Sequence, residues 1–343
     1  MREVAVFLLF TLSVSPMKAQ DIAPIIKSIG NGKRMDTLIT FNPDSHLGNV
    51  PVTIINGKKP GSVFTIVAGI HGYEYPPIVA VQELMKEMDA DKLNGTLIIL
   101  PIANTASFYK RSPFVNPLDG KNLNTVFPGS ASGTISEQMA HWITQEIIPV
   151  SDVFLDIHGG DANEDLLPFV CYYNNEDDIQ NTEKARLLSE ASGMEYMVSY
   201  PYTISKTEPA KYAFKQAVQD GTVALSIEAG KLGTVQDENV ALIKRAVYHM
   251  LNYSGIYEAD MKPAPSKPKY LYNQTYIRVP ENGLFYSSAK SGDTVSKGQH
   301  LGYITDHFGK VLHQISAPVS GTILYKIGTP PVNEGETLFC IGD

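Results

Sequence analysis

The stretch VFTIVAGIHGYEYPP, residues 63–77, decides the fold. Residues 63–68 are apolar or β-branched with no strict alternation, which predicts a strand buried on both faces. The run stops at Gly69, and His71 and Glu74 follow before Pro76 and Pro77. Proline in a first helical turn sacrifices no hydrogen bond, so 76–87 reads as a helix. A doubly buried strand, a turn bearing a histidine and a carboxylate, and then a helix is one unit of a parallel sheet covered by helices.

The pattern repeats. Residues 95–100, 152–157 and 221–227 read as further buried strands. Helical patterns cover 136–148, 178–192 and 237–253, and Thr134 with Glu137 forms a capping box for the first of these. Strand alternating with helix predicts an α/β fold, a mostly parallel mixed sheet with helices on both faces. The stretch 261–269, MKPAPSKPK, holds three prolines and three lysines and reads as an extended linker. Beyond it, 270–343 shows short strands punctuated by glycine, a small C-terminal all-β domain. Its phrases GDTVSKGQHLG (292–302) and APVSGTI (317–323) resemble the sandwich of lipoyl and biotinyl carrier domains. The carrier lysine hairpin is missing, so only the architecture is expected there, without an attached cofactor. No long internal repeat is present.

The chain has 343 residues, of which 43% are apolar, enough for a large domain and a small one. A formal net charge of −8 without a basic cluster argues against a nucleic-acid partner. The N-terminus, MREVAVFLLFTLSVSPMKAQ, carries Arg2 before an apolar run at 4–14, too short to span a bilayer. With Ala19 as the last residue before cleavage, 1–19 reads as a signal peptide and the protein as exported, periplasmic or extracellular. The alternative is a buried N-terminal strand. No later stretch is long enough for a membrane span. Cys171 and Cys340 do not make a disulfide scaffold; they are compatible with one bridge or, more simply, with two unpaired buried thiols.

In open parallel sheets ligands bind beyond the carboxyl ends of strands. His71 and Glu74 follow the first strand, Asn104 follows the second, His158-Gly159-Gly160 the third, and Glu228-Ala229-Gly230 the fourth. Two imidazoles and a carboxylate are a set that holds catalytic zinc and leaves a fourth position for water. His71, Glu74 and His158 are therefore the candidate ligands of one zinc ion per chain. Glu228 is the candidate general acid/base, taking the proton of the water and passing it to a leaving nitrogen. Asp156 alternates to the same side of its strand as His158, either to orient an imidazole or simply as a polar residue near a strand end. The remaining histidines, 46, 141, 249, 300, 307 and 313, lack such context. Of these, only His307 would approach the site, if the β domain folds over it.

The loop KRSPFVNPLDGKNLNTVFPGS, residues 110–130, is dense in turn formers. Arg111 in it can hydrogen-bond a developing oxyanion or a carbonyl, and Asn124 can hold a polar substrate group. The plainer reading is an ordered surface loop with a solvated arginine. There is no Gly-x-Ser-x-Gly elbow, P-loop, Gly-x-Gly-x-x-Gly or His-Glu-x-x-His.

With GIHGYE at 69–74, RSPFVNPLDGKNLNTVFPG at 111–129, LDIHGG at 155–160 and SIEAG at 226–230, the chain resembles the succinylglutamate desuccinylase/aspartoacylase family of the zinc carboxypeptidase superfamily. The resemblance implies His71, Glu74 and His158 as zinc ligands, Glu228 as general acid/base, Arg111 as the carbonyl-polarising arginine and Asn124 as a substrate-binding asparagine. It implies that 270–343 is the β domain that narrows the active-site mouth. One position departs. The family's Asn-Arg pair, whose arginine grips a substrate carboxylate, is Asn124-Thr125 here, and threonine cannot make that two-pronged charged contact. Either Lys121 or Lys206 replaces that arginine, or the substrate has no carboxylate at that point. Thr125 is then a candidate substrate-binding position.

The expected organisation is a signal peptide at 1–19, a zinc hydrolase domain at 20–260, the linker at 261–269 and the β domain at 270–343. The expected function is zinc-dependent hydrolysis of an amide bond in an N-acyl amino acid or related small molecule. One alternative is a metallocarboxypeptidase acting on short peptides or cell-wall fragments. Another is a secreted non-catalytic binding protein that contains a metal. The sequence leaves the oligomeric state open.

Overall fold

The computed structural model describes residues 21–42, 45–258 and 267–343. The expected signal peptide and residues 261–266 of the expected linker lie outside the described residues. The first strands are β1 (Lys33–Thr40), β2 (Asn49–Asn56), β3 (Lys59–Ala68), β4 (Asn94–Leu100) and β5 (Val153–His158). They are followed by β6 (Glu164–Leu166), β7 (Phe169–Asn174), β8 (Tyr196–Pro201), β9 (Val223–Glu228) and β10 (Lys269–Leu271). All but β6 form one sheet in the order β1-β2-β4-β3-β5-β9-β7-β8-β10. Strands β4, β3, β5 and β9 are mutually parallel, as are β7, β8 and β10. The two blocks meet at an antiparallel β9–β7 pair, and β1 and β2 extend the sheet as antiparallel strands. This is the expected mostly parallel mixed sheet.

Seven helices are described, α1 (Ile22–Ser28), α2 (Tyr75–Glu87), α3 (Thr105–Lys110), α4 (Ile135–Trp142), α5 (Ile179–Ala191), α6 (Ala213–Gln219) and α7 (Asp237–Tyr253). Helices α2, α5 and α7 bury Leu84, Leu188 and Val247 against Ile66, Leu155 and Ile227 of one sheet face. Helices α4 and α6 bury Met139 and Ala217 in the opposite layer with Val67, Phe154 and Ala224. Each fully buried aliphatic side chain contributes about 1.5–3 kcal/mol over leaving it exposed, which is why the central strands read as unbroken apolar runs. The helix expected over 136–148 is regular only as far as Trp142. It continues as a wide π turn, Ile143–Ile147, and a tight 3-10 turn, Ile148–Val150, where Pro149 cannot extend the ladder. At its start Glu137 accepts the Thr134 N–H at 2.7 Å, one half of the expected capping box.

Past β10 the chain builds two small sheets. One is β11 (Gln274–Arg278), β18 (Thr337–Gly342), β16 (Gly321–Ile327) and β13 (Thr294–Val295). The other is β15 (Val311–Ser316), β14 (His300–Thr305), β12 (Gly283–Tyr286) and β17 (Pro331–Val332). They enclose Phe285, Ile304, Ile323 and Phe339 as a separate core. Strand β6, from the first part of the chain, pairs antiparallel with β16, setting Glu164 against Ile327 and Leu166 against Tyr325. Cys171 and Cys340 are both free and buried. No helix of the described residues is long and apolar enough to cross a membrane.

Candidate metal centre and active-site cavity

The strand alternation of the central sheet sets up the site. Leu155 and Ile157 of β5 face the α2/α7 layer, so Asp156 and His158 face the other way. In the β5–β9 register Asp156 lies opposite Ser226 and His158 opposite Glu228. Glu228 is flanked on its other side by Phe169 of β7.

Two chain features deliver His71 and Glu74 to the same place. The turn after β3 opens at Gly69, with φ of 68°, and is pinned by Asn104 N–H donating to the Gly69 carbonyl at 2.9 Å. At Gly72 a Cβ would stand 2.0 Å from the Phe108 backbone nitrogen, so only glycine lets α3 pack against the turn. Glu74 then occupies the N-cap of α2 without making a capping hydrogen bond. A cap side chain normally accepts from the second or third N–H of the helix, and here those residues are Pro76 and Pro77, which have none. The prolines thus release the Glu74 carboxylate from capping, while the positive end of the helix still favours its charge.

The released carboxylate lies between the two imidazoles. His71 Nδ1 is 2.7 Å from Glu74 Oε1 and His158 Nδ1 is 3.1 Å from Oε2, which also accepts the Gly159 N–H at 3.2 Å. Ligand atoms of His71, Glu74 and His158 all lie within 4.8 Å of one another. The far ring nitrogens are held too. His71 Nε2 is 3.0 Å from Asn122 Oδ1, and His158 Nε2 is 3.1 Å from Asp156 Oδ2. The second contact is an ion-pair distance without hydrogen-bond alignment. Outer partners of this kind fix the ring so that its other nitrogen faces a metal. Two imidazole nitrogens and a carboxylate, each oriented from behind, are a donor set that fits zinc.

The electrostatics agree with a place for a cation. Burial opposes ionisation of Glu74, yet His71 and His158 outweigh it and hold the carboxyl at about 2. Burial likewise opposes protonation of His158, but Asp156 and Glu74 lift it well above the ordinary imidazole value, and Glu74 raises His71 in the same sense. Protons on these rings occupy the charge balance that a metal ion takes over on binding. Glu228 is pushed up to about 8 by burial; His158 opposes this, while Glu74, Glu164 and Asp156 add to it.

The group opens into a cavity of about 460 Å³. His71, Glu74, His158 and Glu228 line it, together with Tyr276, Tyr325 and Cys340 from the C-terminal strands and Glu336 from the turn before β18. Asn124 also lines it, its Oδ1 accepting the Ala213 N–H at the start of α6 at 3.0 Å. Arg111, Thr125, Lys121 and Lys206 are not among the lining residues. Arg111 caps α3 in a left-handed conformation with an exposed side chain. Thr125 is exposed, its hydroxyl donating to the Asn122 carbonyl at 2.9 Å. Lys121 is 2.8 Å from Glu137, and Lys206 is exposed. Asn104 serves as the N-cap of α3, accepting the Ser107 N–H at 3.1 Å. His307 sits on an exposed turn away from the lining.

Sequence reasoning missed Asn122 and Glu164. The first stands two residues before Asn124 in a segment already singled out, and its Asx-type bond to the Asn124 N–H at 2.8 Å was the available signal. The second sits on a three-residue strand whose partner is far along the chain, and no local pattern reveals it. The close approach at Gly72 yields a prediction. Gly72→Ala is expected to displace His71 and Glu74 and lower zinc affinity by at least about tenfold, read by competition with a chromogenic chelator.

Comparison with known proteins places this geometry. A sequence model of the succinylglutamate desuccinylase/aspartoacylase catalytic domain matches residues 60–254. The chain is 29% identical over 303 residues to the N-alpha-acetyl-L-2,4-diaminobutyric acid deacetylase of Halomonas elongata, covering 86% of this chain and 85% of that protein. Its fold is similar to that of the product-bound ectoine utilization protein EutE (DoeB) of Ruegeria pomeroyi, with a TM-score of 0.82 at 24% identity, covering 92% of this chain and 97% of that one. It is also similar to a succinylglutamate desuccinylase/aspartoacylase of Rhodobacter sphaeroides, with a TM-score of 0.81 at 21% identity and the same coverage. By the match over 60–254, the chain belongs to the succinylglutamate desuccinylase/aspartoacylase family.

Proposed function

We propose that this protein is a zinc-dependent amidohydrolase that removes the acyl group from a small N-acyl amino acid or a related amide. The observation that carries the reading is the convergence of His71, Glu74 and His158 within 4.8 Å, with Glu228 opposite His158 on the neighbouring strand. When bound, zinc acidifies a water towards neutral pH and polarises the acyl carbonyl. Glu228 is the group that takes up a proton and returns it to the leaving nitrogen. Burial raises its carboxyl, with Glu74 and Glu164 adding to the shift, and a divalent cation beside it would bring it back towards the range in which it takes up and returns a proton. Asn124, held through Oδ1 by the start of α6, presents its amide end to the substrate. Arg111, exposed at the C-cap of α3, is assigned to the acyl oxygen by the family likeness. The Halomonas relative, named for deacetylating an acylated diamino acid, supports an acylated amino acid as the substrate class.

The test is to strip the protein with a chelator, reload it with zinc, and follow release of free amine from a panel of N-acetyl and N-succinyl amino acids beside short peptides. Zinc-dependent release from the acyl amino acids is the expected result. A metal-replete protein inert on the whole panel would favour a non-catalytic binding role, and preference for peptides would favour a carboxypeptidase.

A further inference from the structure

The turn that follows α3 is wound in a way its residues do not favour. Phe114 has φ of 57° and Arg111, at the start of the turn, has φ of 50°, both in the left-handed region. A side chain with a Cβ is disfavoured there, and a bulky one stays only where its surroundings impose the conformation. Three fastenings do so. The Ser112 N–H donates to the Ser107 carbonyl at 3.0 Å, and the Ser112 carbonyl accepts the Ser107 hydroxyl at 2.7 Å. That hydroxyl also accepts the Gly72 N–H at 3.1 Å, which ties the turn to the one bearing His71 and Glu74. Buried Asn116 donates its N–H to the Lys121 carbonyl at 2.8 Å. Between these two ends the Phe114 N–H donates to Asp161 Oδ2 at 2.9 Å, across 47 residues of chain.

Asp161 lies just past the His158-Gly159-Gly160 run, and its carboxylate is buried. A carboxylate taken out of water is costly unless donors meet it, and here two backbone N–H groups do, Phe114 at Oδ2 and Ala162 at Oδ1. Its own N–H donates to Glu164 Oε2 at 2.8 Å, so the residue is held from behind as well. What this latch delivers is the Phe114 ring. The ring meets the His71 ring edge to face, with centroids 6.1 Å apart and planes at 76°, and it lines the cavity. A strained backbone, a buried carboxylate spent on holding it, and a ring set against a candidate metal ligand make one device.

The order of the strands decides which part of a substrate meets that ring. His71 follows β3, His158 ends β5 and Glu228 ends β9, and these strands are neighbours in that order. On the deacylase reading Glu228 returns a proton to the leaving nitrogen. The amine part then lies towards β9 and Phe169 of β7, and the acyl group extends the opposite way, towards His71 and Phe114. We propose that Phe114 sets the length of acyl group the site accepts, and that Asp161 is the positioning residue that holds its ring in place. The inference rests on the deacylase reading and adds to it a stop on one side of the scissile bond. Short acyl groups fit between the metal centre and the ring, and longer ones run into it.

The test uses zinc-loaded protein and two matched series. Acetate, butanoate and hexanoate are titrated calorimetrically as product acids, and the N-acetyl, N-butanoyl and N-hexanoyl derivatives of alanine are offered for hydrolysis. Wild type is expected to favour the acetyl member over the hexanoyl member by about 10-fold or more in both series, the scale on which a pocket rejects extra methylenes. Phe114→Gly removes the ring and suits the left-handed backbone, and it is expected to bring that ratio to one or below. Asp161→Ala is expected to move the ratio the same way. Asp161→Asn, whose amide oxygen can still accept the Phe114 N–H, is expected to keep most of the wild-type ratio. A purely structural role would lower all members of a series alike. Indifference of wild type to acyl length, or a ratio unchanged in Phe114→Gly, overturns the proposal. A ratio moved by Phe114→Gly but not by Asp161→Ala overturns the role given to Asp161; should Asp161→Ala not fold, Asp161→Ser, too short to reach the turn, replaces it. If no amide is hydrolysed, the deacylase reading fails, while the product acids still decide the acyl limit.

Discussion

Glu228→Gln is expected to keep its zinc and to lower kcat roughly 10²- to 10⁴-fold, the usual contribution of a positioned acid/base. Glutamine has the shape of glutamate but cannot take up a proton. Glu228 reaches the cavity from β9 and supplies no atom to the candidate ligand group, so zinc content measured by elemental analysis should stay at the wild-type level. KM should change much less than kcat, because the lost interaction belongs to the transition state. Stability gives an independent check. A carboxyl raised to about 8 in the folded chain, well above the ordinary carboxylate value, penalises the fold increasingly as pH rises from the ordinary value to the raised one. Removing the titrating group removes the penalty, so the metal-free variant should melt no lower than metal-free wild type at pH 8. An undiminished kcat would show that another group moves the proton.

Glu74→Gln is expected to have the largest effect on the metal itself. The carboxylate is 2% exposed, touches both imidazoles and supplies the only negative ligand of the candidate set. An amide in its place leaves two neutral donors and loses the anion that draws the cation in, so zinc should fall from stoichiometric to near background after gel filtration. Activity should fall with it. The linked readout is thermal. Zinc at about a thousandfold excess over its dissociation constant stabilises a folded protein by about 4 kcal/mol, which in a chain of this size is a Tm rise of several degrees. Wild type should show that rise and Glu74→Gln should not. A variant that still gained the full shift would place the ion elsewhere.

The parts of the site that were legible in the sequence are those carried by strands buried on both faces. β3, β5 and β9 are such strands, and each ends beside glycine with a polar residue, so His71, Glu74, His158 and Glu228 could be read off in order. Helices α2 and α7 were legible for the same reason, through one apolar face and an abrupt start. Strand β1 was not, because an edge strand with the burial pattern of KRMDTLIT is mostly exposed and carries no alternation. Strands β7 and β8 were missed where Pro168 and a short interval blur the punctuation, and with them the antiparallel reversal at β9–β7. The cavity's far wall was invisible because it exists only once β6 finds β16. That pairing is set by tertiary closure rather than by any local preference.

The chain fastens its two halves together at separate points. One is β10, which lies parallel to β8 at the edge of the large sheet just before the small sheets begin. The other is the β6–β16 ladder in the cavity wall. A hinge that swung the halves apart would have to break backbone hydrogen bonds at both seams at once. Relative motion of the two halves is therefore opposed at two places rather than at one.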